Sequence, residues 1–159
     1  MSQLIAQQLF DNPDKDYSSN QLFITTNRHI LDAYVYLIDI EKNDTITKCL
    51  YKLLETIILP VHAQKLDVLA ESYAKRLFEL NRFQSQTADG LYVLLYSMLM
   101  LKHDLYESKT SKKMSVNDFI HTSRGIYDGD DFSTEFLTQI YDEIKQNFCP
   151  TRDRKCHII

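Results

Sequence analysis

A chain of 159 residues suffices for one domain with one sizeable core, and its three glycines and three prolines leave too little turn chemistry for a many-stranded sheet. The composition therefore points to an all-α, single-domain fold. A net charge of -4 with both signs mixed along the chain argues against a nucleic-acid partner, which needs a clustered basic surface.

The elements follow from apolar spacing. Residues 1–10 carry Leu4, Ile5, Leu9 and Phe10 and read as a reduced helix, followed by the polar loop sequence DNPDKDYSSN. Ile30, Leu31, Tyr34, Leu37 and Ile38 predict a helix over about 26–40, capped by Asn27 or Thr26. Asp44 is the expected N-cap of a third helix whose face is Ile46, Leu50, Leu53, Leu54 and Ile57, and Pro60 stops it. Pro60 also restricts Leu59 to extended geometry, so Leu59–His62 is expected as a tight connection. Leu66, Leu69, Tyr73, Leu77 and Leu80 stripe a fourth helix over about 63–80.

The central helix is expected over 88–105. From Leu91 to Leu101 every residue but Ser97 is apolar or aromatic, so it reads as a buried rod with no solvated face to spare. The run is too short for a membrane span, which needs about 20 residues, and no transmembrane segment is expected. Lys102, His103 and Asp104 end it in a polar rim. After the exposed loop ESKTSKK, Ser115 and Asp118 have capping-box spacing before Val116, Phe119 and Ile120, with Gly125 as the closing cap. Gly129 marks a turn, Ser133 an N-cap, and Phe136, Leu137, Ile140, Tyr141 and Ile144 the buried face of a last helix over about 134–147. The domain reading is a reduced helix and loop over 1–20, an all-helical domain over 21–147, and a polar tail over 148–159.

Chemical motifs are sparse. His29, His62, His103, His121 and His157 form no H-E-x-x-H and have no cysteine partner at zinc spacing, and Asp128, Asp130 and Asp131 lack the rest of a calcium loop. No nucleophile elbow or phosphate-cradling glycine motif occurs. No metal and no cofactor is expected. Cys49, Cys149 and Cys156 show no C-x-x-C spacing and read as free thiols, and the N-terminus lacks a signal peptide's basic start, which favours a cytoplasmic location. Cys156-His157-Ile158-Ile159 has the register of a prenylation box after Arg152, Arg154 and Lys155, but histidine and the final isoleucine are poor matches. Lipidation at Cys156 and an accidental terminal cysteine both stay open.

The ordered segments LPVHAQKLDVLAESYAKRL, FQSQTADGLYVLLYSMLML, KKMSVNDFI and RGIYDGDDFSTEFLTQIYDEI resemble the Sec-seven domain, the exchange-factor module acting on Arf-family small GTPases. The likeness rests on Leu59-Pro60 and Ala63-Gln64 in a first motif, and on Ala88-Asp89, Tyr92, Leu94, Ser97, Met100-Leu101 and Asp104 in a second. Lys113-Met114 and Arg124-Gly125-Ile126 follow downstream. The resemblance implies a right-handed superhelix of six or seven helices and a groove that takes the GTPase switch regions. It places Leu59, Tyr92, Tyr96, Ser97, Met100, Asp104 and Met114 along that groove. For Leu94, Tyr96 and Met100 ordinary core packing is the competing reading. Tyr96, Ser97, Asp104 and Met114 also match the pattern of brefeldin A-sensitive members, which suggests ancestry among the large Golgi-type exchange factors.

Both motifs depart from the family pattern. The first-motif glutamate, which the resemblance implies repels the nucleotide's β-phosphate, is His62, with Val61 for glycine and Ile58 for arginine nearby. His62 reads as an exposed loop histidine or as a reassigned residue. The second motif's Asn-Thr-Asp-Leu-His-Asn is here Lys102-His103-Asp104-Leu105-Tyr106-Glu107, so Glu107 stands at the position of the final asparagine. The functional expectation is a regulator of nucleotide exchange on an Arf GTPase, with exchange impaired at His62 and Glu107, and not an enzyme. The alternative is a non-catalytic module that binds Arf or another helical partner. Peripheral association with Golgi or endosomal membranes is a further implication.

Overall fold

The computed structural model describes residues 1–11, 24, 26–57, 63–80, 87–125 and 129–147. They form seven α-helices and one π-helical turn, with no strand among the described residues. The all-α expectation holds. The helices fall into two compact units, residues 1–83 and 84–159.

The first unit contains α1 (Ser2–Asp11), α2 (Arg28–Tyr36), α3 (Ile46–Thr56) and α4 (Ala63–Glu79). Asn27 caps α2 by accepting from the Ile30 amide, as expected, but the helix closes at Tyr36. Chain beyond it turns back, with Asp44 accepting from the Glu41 amide at 2.8 Å. That use of Asp44 explains why the expected α3 cap falls on Thr45, whose hydroxyl accepts from the Lys48 amide at 3.1 Å. Asp44 instead receives Lys52 Nζ at 2.6 Å, and the same ammonium donates to the Asp39 carbonyl at 2.8 Å. One lysine thus fastens the α2 to α3 connection to the middle of α3.

Leu31, Tyr34, Val35, Cys49, Leu50, Leu53, Leu69, Tyr73 and Leu77 are buried, each large aliphatic contributing about 1.5–3 kcal/mol. Tyr73 donates its hydroxyl to the Cys49 carbonyl at 2.7 Å, so the buried ring leaves no unpaired polar atom there. Burial and the nearby Cys49 and Asp44 push that phenol well up. Ser72 Oγ and Arg28 both reach Asp32, and Arg28 also reaches Glu71, fastening α2 to α4.

The second unit contains α5 (Ala88–Lys102), the π-turn (His103–Glu107), α6 (Val116–Thr122) and α7 (Thr134–Asn147). Thr87 caps α5, the Ser115–Asp118 capping box forms as expected, and Ser133 accepts from the Phe136 amide. Gly125 follows α6 with φ +73°, a conformation that suits glycine, and its amide donates to Asp131 Oδ1 at 2.7 Å. Leu137, Ile140, Tyr141 and Ile144 form the buried face of α7; Phe136 is half-buried beside Phe132.

The buried-rod expectation for α5 needs correction. Leu91, Leu94, Leu95, Met98, Leu99 and Leu101 are buried, but Tyr92, Val93, Tyr96 and Ser97 are half-buried and Met100 is 36% exposed. These five positions fall at i, i+1, i+4, i+5 and i+8, which is one face of an α-helix. An apolar stripe therefore stays half open.

Candidate functional site

The open stripe of α5 consists of apolar and aromatic side chains on a helix whose other faces are packed. Tyr92 and Tyr96, one turn apart, hold their rings 6.3 Å apart in a tilted pair, and Met100 continues the line. Ser97 uses its hydroxyl within the helix, donating to the Val93 carbonyl at 2.9 Å, so it narrows the stripe without offering a free polar group at its hydroxyl hydrogen. Such a stripe can accept an apolar surface from another molecule, because little polar hydration is lost.

At its carboxyl end the helix widens. The Ser108 amide donates to the His103 carbonyl at 2.8 Å, five residues back, which closes the π-turn. Two anchors hold that turn within the second unit. The Tyr106 hydroxyl reaches the Ile144 carbonyl at 2.9 Å and also the Lys145 carbonyl, both in the last turn of α7. Asp104 Oδ2 accepts from the Met114 amide at 2.6 Å, while the Met114 carbonyl accepts from the Tyr141 hydroxyl at 2.8 Å. Met114 is thereby pinned on both sides of its backbone.

Glu107, which the resemblance sets at the motif's final asparagine, faces its own chain. Its Oε1 takes a hydrogen bond from Lys102 Nζ and its Oε2 lies 3.1 Å from His103 Nδ1. Partial burial pushes this carboxyl up, but the bonds and charges of Lys102 and His103 outweigh it and hold the group below the usual carboxylate range.

Of the expected site residues, Tyr92, Tyr96, Ser97 and Met100 share the open stripe, and Asp104 meets Met114 beyond its end. Leu94 is buried, so ordinary core packing is the reading that holds for it. Leu59, His62 and Cys156 lie outside the described residues. The sequence reading set Lys102 and Tyr106 on the altered motif rim without a partner for either, and read Tyr141 only as core. Lys102 and Glu107 are five apart, a spacing with no meaning on an α-helix, so the α-helical pattern held no signal for their pairing. Among the described residues no group of three side chains converges to hold a metal ion, and no helix there is long and apolar enough to cross a membrane.

The Sec7 domain family model matches residues 2–149. The chain belongs to the Sec7 domain family. It is 39% identical over 120 residues to the brefeldin A-inhibited guanine nucleotide-exchange protein 1 of Homo sapiens, covering 74% of this chain and 6% of that protein. It is 35% identical over 102 residues to the ADP-ribosylation factor guanine nucleotide-exchange factor sec71 of Schizosaccharomyces pombe, covering 64% and 6%. Among solved structures, the Sec7p catalytic domain matches with a TM-score of 0.82 at 29% identity, over 92% of this chain and 81% of that one. A Sec7 domain bound to ARF1-GDP with brefeldin A matches with a TM-score of 0.74 at 25% identity, over 91% and 75%.

This Sec7 chain thus spans 6% of the length of the exchange proteins it resembles. Their names also correct one expectation. The chain was expected to stand outside the enzymes, yet its Sec7 relatives are nucleotide-exchange proteins, and accelerating nucleotide release is catalysis even though no covalent bond changes.

Proposed function

We propose that this Sec7 chain is an exchange factor for an Arf-family small GTPase, and that its exchange is slow. The observation that carries the reading is the half-open stripe of Tyr92, Tyr96 and Met100 on an otherwise packed helix, where the family resemblance sets the GTPase groove. In this reading the stripe receives the GTPase switch regions, Leu59 continues the wall, and Asp104 and Met114 form its end. Residues 21–147 are the exchange domain proper, and residues 1–20 and 148–159 flank it.

Slow exchange follows from charge at His62. A carboxylate aimed at the β-phosphate repels it, and at about 4 Å that is worth about 1–4 kcal/mol between water-like and surface-like dielectric. A neutral imidazole supplies no repulsion, and an imidazolium attracts. The domain then relies on displacing the switch regions alone. Peripheral association with a Golgi or endosomal membrane belongs to the same proposal.

The test loads an Arf GTPase with a fluorescent GDP analogue and follows its release. The natural chain is expected to speed release modestly, His62→Glu to speed it further, and Met100→Asp to abolish it. Met100 is the informative wall position because an aspartate at buried Leu94 perturbs the fold itself. Binding without release by the natural chain, with release gained in His62→Glu, marks a binding module. No binding by either chain sinks the GTPase reading.

A further inference from the structure

The π-turn does something an α-helical ending cannot. In an α-helix, residues five apart stand about 140° apart around the axis. An i→i+5 turn carries them round to the same side. Lys102 and Glu107 are five apart, and here they meet. The Lys102 side chain is 16% exposed, and the turn delivers the Glu107 carboxylate to its ammonium. Glu107 gives its second oxygen to His103. Neither carboxylate of this segment is directed only outward: Asp104 is engaged by the Met114 amide.

We propose that Lys102 and Glu107 act as one positioning pair that holds the motif-two rim in its π-turn, with Glu107 acting on its own chain and not on the GTPase or its metal. The two residues stand where the family resemblance has the first and last asparagines of the motif, so they replace an uncharged pair with a charged one that is internally neutral. Either charge without the other is a defect. Removing Glu107 takes from the Lys102 ammonium the carboxylate it meets on the rim, and removing Lys102 leaves Glu107 with His103 alone of the two cationic partners that hold it. Glu107→Asn alone, which restores the family's residue, is therefore expected to slow exchange, whereas Lys102→Asn with Glu107→Asn recovers it.

The effect on exchange presupposes the GTPase reading above; the effect on the turn does not. Two measurements keep them apart. The first is amide hydrogen exchange at Ser108, whose amide closes the turn onto the His103 carbonyl, in the full chain. Lys102→Met and Glu107→Gln are each expected to speed it about fivefold or more. Lys102→Arg and the charge swap Lys102→Glu with Glu107→Lys are expected to return it to within about twofold of the natural chain. The second is release of the fluorescent GDP analogue from Arf. There the single variants should fall below the natural chain, and the double asparagine and swapped chains should recover. A generic packing role predicts no rescue by the swap. Unchanged Ser108 exchange in both single variants, or single losses that the swap fails to restore, overturns the proposal. If the natural chain releases no nucleotide from Arf, the exchange reading fails and the Ser108 comparison decides the pair by itself.

Discussion

Asp44 illustrates how a side chain can serve the fold in a way its position in the sequence does not announce. An aspartate before an apolar run reads as a helix cap, yet Thr45 is the residue in extended geometry with its hydroxyl over the Lys48 amide. Asp44 is left to hold the preceding turn and Lys52, with a side chain 3% exposed. Burial pushes its carboxyl up, but Lys52, the Glu41 amide and Lys48 outweigh that and keep it below its ordinary value of 3.8. A depressed carboxylate stabilises the fold fully above that ordinary value, and its share is lost as pH falls through the lower folded value. Lys52→Met leaves the buried carboxylate with only the Glu41 amide and the more distant Lys48 ammonium, which is expected to cost about 3 kcal/mol in urea unfolding at pH 7. Stability of that variant should fall less between pH 5 and pH 2 than that of the natural chain. A loss under about 0.5 kcal/mol would show that the ion pair contributes no more than a surface one. The capping box at Ser115 and Asp118 was legible because both its partners are local. Asp44 was not, because its main partner is eight residues away on another element.

At the scale of the element, helices and most caps could be read from spacing, and the open face of α5 could not. A helix apolar on every side carries no amphipathic signal to say which stripe the rest of the chain leaves uncovered. Tertiary packing alone selected Tyr92, Val93, Tyr96, Ser97 and Met100. The resemblance had named four of those five, from motif positions and not from periodicity. The π-turn likewise has no local signature: it is fastened by Tyr106 on the end of α7 and by Asp104 on Met114, contacts that span 10 to 39 residues of chain. Tyr141 is the residue that closes this arrangement, through its hydroxyl on the Met114 carbonyl. Tyr141→Phe keeps the ring packing on Phe119 and removes only that donor. We expect it to cost about 1 kcal/mol, with faster amide exchange confined to residues near Met114. Uniformly faster exchange across α7 would instead show that the hydroxyl supports the whole helix.

For the whole molecule, family membership and an all-helical architecture rest on the match over residues 2–149 and on the solved Sec7 domains. What distinguishes this chain within that family is chemical. On the reading proposed above, the apolar stripe is where a GTPase would dock, while the resemblance sets a histidine at the first-motif glutamate and a self-paired Glu107 at the second-motif asparagine. The sequence made those departures visible at once, since each is a single substitution in a recognisable motif. What it left hidden was that the change at Lys102 answers the one at Glu107, because a compensating pair shows itself only when the turn has brought its members together. On that reading, a histidine at the first-motif glutamate position beside an open apolar stripe should bind well and release nucleotide slowly.

The most direct test of that account compares nucleotide release from an Arf GTPase by the natural chain and by His62→Glu at equal GTPase affinity. The account predicts release by the natural chain only modestly above the intrinsic rate, and at least about fivefold faster with the glutamate, in line with about 1–4 kcal/mol of restored repulsion. Equal rates for the two chains would contradict it.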